Sequence, residues 1–148
     1  MTMKALWITV LAVGTSLTGC SQKISMANMP SVVQNGLKTQ FPNAVNLEWE
    51  KNGDMFEAEF DFTQQEYAAL VDATGKVVAV KQEIDATQLP EPILQQIKTS
   101  HQDYTLDDVE KVERDGQVLY QVELQKTMRE VKQVYTSAGA SSSETFWD

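Results

Sequence analysis

The chain has 148 residues, 42% of them apolar, with 12 basic against 21 acidic side chains and a net charge of −9. That length suits one domain, or two small units sharing a sheet, and excludes a large multidomain enzyme. One cysteine excludes an intrachain disulfide, one cysteine and one histidine argue against a structural zinc site, and the acidity disfavours nucleic acid and anionic membrane surfaces as partners.

Lys4 is the only charge in the first 20 residues, and Ala5 to Val13 is apolar except for Thr9. A basic start, a short apolar run and a small-residue exit predict a secretory signal over residues 1–19. The run falls short of the roughly 20 apolar residues that a spanning helix needs. Leu17-Thr18-Gly19-Cys20 resembles the bacterial lipobox, which implies lipidation of Cys20 and a membrane contact through that anchor only. By the same resemblance, Ser21 after the cysteine fits sorting to the outer membrane. Removing residues 1–19 takes away Lys4 alone and leaves 11 basic and 21 acidic side chains, a charge of −10. Residues 20–28 read as a lipidated tether.

From Met29 onward the sequence repeats itself. Met29 to Phe41 lies over Leu89 to His101, Phe56-Glu57-Ala58-Glu59-Phe60 over Tyr120-Gln121-Val122-Glu123-Leu124, and Glu66 to Gly75 over Glu130 to Gly139. A spacing near 60 residues is too long for a solenoid and fits a duplicated α+β unit. The predicted units are 29–86 and 87–148.

Each unit opens with a helix, where Pro30 and Pro92 suit the first turn. Val33, Leu37 and Phe41, and again Ile93, Ile97 and His101, form one stripe per helix. Four strands then follow. In the first unit Leu47 and Trp49 alternate with Glu48 and Glu50, and Phe56, Ala58, Phe60 and Phe62 with Glu57, Glu59 and Asp61. A hairpin at Asn52-Gly53 joins them. Strands over Tyr67–Asp72 and Val77–Ile84 complete the unit. The second unit predicts strands over Val109–Glu113, Val118–Gln125 and Val131–Thr136, with a short closing strand within Ser141–Trp147. Val109 and Val112 have opposite parity, which predicts a bulge or a late start there. The fold class is therefore α+β, a tandem repeat of one helix plus a four-stranded antiparallel sheet. The two sheets would join edge to edge or pack together, with the apolar faces inside and the acidic faces wet.

Phe41-Pro42-Asn43-Ala44, Leu47-Glu48-Trp49-Glu50, Phe56 to Phe60 and Tyr67 to Gly75, with Tyr120 to Leu124 in the second copy, together resemble the PepSY-like domain proteins of Bacteroidetes envelopes, a family similar in fold to the β-lactamase inhibitory protein. The resemblance implies tandem helix-plus-four-strand repeats, secretion and no catalytic residues. It also implies a link to peptidase inhibition.

His101 stands where the first copy has Phe41. No nucleophile or carboxylate is placed by pattern to work with it, so it reads as a helix spacer and not as a general base. Asp103, Asp107 and Asp108 lack the glycine and the closing glutamate of an EF-hand. Alternate strand carboxylates stand about 7 Å apart and read as a solvated face. Trp49, Phe56, Phe60, Phe62 and Tyr120 read as core, and no motif asks for a cofactor. Phe146 and Trp147 are left as an exposed anchor or as cover for the sheet edge. The functional expectation is a non-enzymatic module that binds an envelope protein or peptide. Its surface would be formed by Glu48, Glu50, Glu57, Glu59 and Glu123. The alternative is a small-molecule carrier, its ligand held near Trp49 and Tyr120 above Ala58 and Ala69.

Overall fold

The computed structural model describes residues 22–148; the signal segment and Cys20 lie outside the described residues. Strand alternation decides the layering. Phe56, Ala58 and Phe60 occupy one side of a strand and become core, because a helix lies over that side. The strands are β1 (Gln22–Lys23), β2 (Val45–Asn52), β3 (Met55–Phe62), β4 (Gln65–Val71), β5 (Val77–Glu83), β6 (Thr105–Arg114), β7 (Gln117–Lys126) and β8 (Arg129–Thr136). They form one antiparallel sheet in simple chain order. The helices are α1 (Ser31–Gln40) and α2 (Glu91–Ser100), each entered through a 3₁₀ turn. The two units join edge to edge along β5 and β6, from Ala79 opposite Arg114 to Glu83 opposite Glu110.

Both helices pack on the same side of the sheet. Val33, Leu37 and Phe41 meet Trp49, Ala58, Phe60 and Ala69. Ile93 and Ile97 meet Val109, Val122, Leu124 and Tyr135. Each Val, Leu, Ile or Phe among them contributes about 1.5–3 kcal/mol through burial. In the first core the Phe41 ring sits 4.8 Å from Phe60 and 5.3 Å from Phe62. Each helix also rests on a turn glycine. A Cβ on Gly75 (φ +87°) would lie 2.4 Å from the Val32 carbonyl oxygen, and one on Gly139 (φ +85°) 2.7 Å from that of Pro92. The repeat thus preserves a backbone contact that no side chain could share.

Several elements differ from expectation. The segment predicted as a tether pairs with β2, Gln22 opposite Lys51 and Lys23 opposite Glu50. Pro30 stands at the N-cap of α1, one place before the first turn, whereas Pro92 lies within the first turn of α2. β6 starts early, at Thr105, and its irregularity falls between Leu106 and Asp108. Val109 and Val112 need no bulge between them, since each is buried on its own side of the sheet. The second unit contributes three strands instead of four. Its predicted closing strand is reduced to a single bridge, Tyr135 to Ser141, after which the chain crosses the side of the sheet opposite the helices.

Candidate functional site

The face without helices carries the polar parity of every strand. Its centre is not wet. Ala68, Leu70, Ala79, Val112, Leu119 and Val134 form an apolar floor there, covered by Trp147 with Phe146 beside it. Trp147 is only 6% exposed. Phe146 and Trp147 therefore cover the middle of the face and not an edge.

Polar groups hold this cover at every point. The Trp147 indole N–H donates to Glu57 Oε1 at 2.7 Å. Its main-chain N–H donates to Gln121 Oε1 at 2.7 Å, and its carbonyl accepts from Gln121 Nε2 at 2.9 Å and from Lys81 Nζ at 3.0 Å. Gln121 Nε2 also donates to Glu110 Oε2 at 2.7 Å, and Lys81 pairs with Glu110 at 3.0 Å. Lys132 binds Asp148 and, at 3.0 Å, Glu123. These two carboxylates raise the Lys132 ammonium above its usual range, Asp148 most of all.

Beside the cover lies a groove of about 480 Å³. Glu48, Glu59, Asp61, Glu66, Glu83, Asp108 and Glu110 line it, with Lys81 as the one basic side chain on its wall. Partial desolvation of its carboxyl against the groove wall, and then the neighbouring Asp108, Glu66 and Glu110, push the otherwise exposed Glu83 above its ordinary value. The crowding arises at the seam, where β5 and β6 bring Glu83 opposite Glu110. Among the described residues no group of three His, Cys, Asp or Glu side chains is arranged to hold a metal ion.

The five residues singled out from sequence part company here. Glu48 and Glu59 line the groove, Glu48 pairing with Lys23 at 2.7 Å across two exposed side chains. Glu50 shares their face, opposite Glu57. Glu123 lies across the face, tied to Lys132. Glu57 corrects the expectation of a wet acidic face. It is 8% exposed and sits beneath Trp147, whose indole covers it. Glu66, Glu83, Asp108 and Glu110 were missed, although each holds the outward parity of its strand.

His101 caps α2 beside a hollow of about 260 Å³ formed with Leu94, Ile97 and Tyr104. Its Nδ1 is buried without a hydrogen-bond partner, and its ring meets Tyr104 edge-on at 5.5 Å. The carrier reading finds its space taken, since Ala58 and Ala69 are fully buried in one core with Val33 and Leu37. No helix among the described residues is long and apolar enough to cross a membrane.

The fold is similar to solved bacterial structures. A DUF2874 family protein from Bacteroides uniformis aligns with a TM-score of 0.71 at 18% identity, over 76% of this chain and 86% of the other. A Bacteroides eggerthii structure described as "putative periplasmic proteins" gives 0.71 at 17%, over 76% and 84%. A BLIP-like protein from Bacteroides fragilis gives 0.66 at 21%, over 80% and 92%. At such identities the likeness concerns the fold alone. No curated protein matches the chain. The family described as "Putative beta-lactamase-inhibitor-like, PepSY-like" matches residues 17–79 and again 61–140. Those two stretches overlap across β4 and together cover most of the chain, which therefore belongs to the beta-lactamase-inhibitor-like, PepSY-like family.

Proposed function

We propose that the protein is a non-enzymatic binding module of the bacterial envelope, and that its acidic groove takes a basic segment of another protein or peptide. Membership of the PepSY-like, beta-lactamase-inhibitor-like family supports a binding role. The observation that carries the choice of partner is the groove itself, where Lys81 pairs with Glu110 and Lys23 with Glu48 while seven carboxylates line the wall, so that a net negative field is left for a partner to neutralise. Peptidase inhibition is a subcase, with a basic loop of the peptidase as the bound segment. The Leu17-Thr18-Gly19-Cys20 sequence supports anchoring through Cys20, at the outer membrane. The periplasmic description of one structural neighbour supports an envelope location only.

The direct test is titration with a synthetic lysine- and arginine-rich peptide at several salt concentrations. Reversing Glu59 and Glu66 to lysine should weaken binding about tenfold or more and flatten the salt slope. An affinity and slope unchanged by both substitutions would remove the groove from consideration. For the anchor, Cys20→Ser should shift the protein from the detergent phase to the aqueous phase on phase partition.

A further inference from the structure

Residues 141–148 leave the sheet where the repeat says a strand belongs. In the first unit Val71 pairs with Val77, and β5 then follows β4 to Tyr67 opposite Gln82. The second unit begins the same step 64 residues later in each strand. Tyr135 bridges Ser141, and the Ser142 N–H donates to the Val134 carbonyl at 2.7 Å. The chain then abandons the outer edge of β8, forgoing further ladder bonds on an edge already shaped for pairing. What it meets on the sheet face must outweigh them.

That face receives the segment as a receptor receives a ligand. Glu57 and Gln121 hold the same position in the two repeats and converge on one residue. Glu57 takes the indole N–H, while Gln121 takes both the N–H and the C=O of the Trp147 main chain. A side-chain amide has a donor end and an acceptor end, and so meets both main-chain groups of one extended residue. If the position served packing alone, an apolar side chain would serve better than a buried amide or carboxylate. Lys81 and Arg114 stand over the Trp147 ring at 5.3 and 5.8 Å, and Lys132 lies 4.9 Å from the Phe146 ring while binding Asp148. Aromatic rings, indole N–H, main chain and acid each find a complementary group, Lys132 serving both the Phe146 ring and Asp148.

We infer that this face is a peptide-recognition site whose resident occupant is the chain's own Phe146-Trp147-Asp148, displaced by a partner polypeptide that presents tryptophan followed by an acidic residue. The link through residues 137–145 holds the resident at a high effective concentration, so it acts as a built-in competitor. The inference stands apart from the basic partner assigned to the neighbouring groove.

The test uses the full chain carrying Phe146→Ala and Trp147→Ala, with a fluorescein-labelled synthetic peptide of residues 141–148 as probe, read by anisotropy. The probe should bind the double variant at least tenfold more tightly than the wild-type chain. Adding Gln121→Ala, or replacing the tryptophan of the probe by alanine, should cost another tenfold. Equal affinity for wild type and double variant, or no binding to a folded variant, overturns the proposal. If the variant is destabilised, a melting temperature that rises with probe concentration supports recognition in trans. Loss of cooperative unfolding with and without probe makes the segment ordinary core and overturns it. A wild-type dimer that dissociates in the double variant would seat a second copy's segment on the face and overturn the partner reading.

Discussion

Trp147 and Trp49 are both buried, at 6% and 2% exposure, yet they should respond differently to loss of the indole N–H. Trp147 donates to Glu57 Oε1 at 2.7 Å, whereas the Trp49 Nε1 is buried without a partner. Replacing either by phenylalanine removes some apolar area, worth roughly 1 kcal/mol at about 25 cal/mol per Å². Only Trp147→Phe also strips a buried carboxylate of a donor, a loss of about 1.5–3 kcal/mol for a hydrogen bond to a charged group. The Asn52 amide at 2.9 Å would remain as the other partner of Glu57. A double-mutant cycle of Trp147→Phe with Glu57→Leu isolates that contribution. Urea denaturation followed by circular dichroism should give a coupling of about 1.5–3 kcal/mol. The parallel cycle with Trp49→Phe should give less than about 0.5 kcal/mol, because Trp49 and Glu57 point to opposite sides of the sheet. A Trp147 coupling within about 0.5 kcal/mol of zero would mean that Glu57 is solvated in solution, and the closed face described above would be wrong.

Gly36→Ala should destabilise the fold by about 2 kcal/mol or more, despite a helix-propensity gain near 1 kcal/mol. Its Cβ would fall 1.8 Å from the Gly75 carbonyl oxygen, and a raised melting temperature would refute that packing. Glu83 holds its proton more tightly folded than unfolded, so it favours the fold below the ordinary carboxylate range and penalises it as pH rises through its folded value. Glu83→Gln should therefore stabilise at pH 7 by no more than about 0.5 kcal/mol, since the residue is exposed. The gain should vanish below about pH 4.5 and shrink in high salt, as thermal melts across pH and salt can check. Leu124→Ala, fully buried in the second core, should cost about 3 kcal/mol in urea denaturation, while Met128→Ala, 94% exposed, should change nothing measurable.

The helix side of the sheet was legible because one covered face imposes a period of two, and Trp49, Ala58, Phe60, Val122 and Leu124 all obey it. β6 was misread for the converse reason. Its Val109 faces α2 and its Val112 faces Trp147, so a strand buried on both sides loses the alternation that locates it. Glu57 and Glu59 are equivalent by parity and separate only because Trp147, 90 residues further on, lies over one of them. The Thr63-Gln64 hairpin turn takes positive φ at both residues without a glycine to announce it. The groove escaped notice because Glu83 and Glu110 meet only once the units join through β5 and β6, and the sequence left edge pairing and stacking equally open.

The repeat also explains why equivalent positions carry different side chains. A duplicated sheet offers the same place twice, but a single tryptophan crossing it presents an indole donor to one copy and a main-chain donor and acceptor to the other. Glutamate suits the first and an amide the second. At Gln121, 2% exposed, a carboxylate would turn its second oxygen toward the Trp147 carbonyl and Glu110 Oε2, both of which accept from Nε2 in the native arrangement. Gln121→Glu should therefore cost more than about 3 kcal/mol at neutral pH, as an unpaired buried charge does. Glu57→Gln keeps an acceptor for the indole, and the exposed Asn52 amide that donates to the second oxygen can turn its own oxygen to the new amide, so the change should cost less than about 1 kcal/mol. Urea denaturation of the two near-isosteric variants measures the asymmetry directly. Equal costs would mean that Trp147 does not distinguish the two halves of the face.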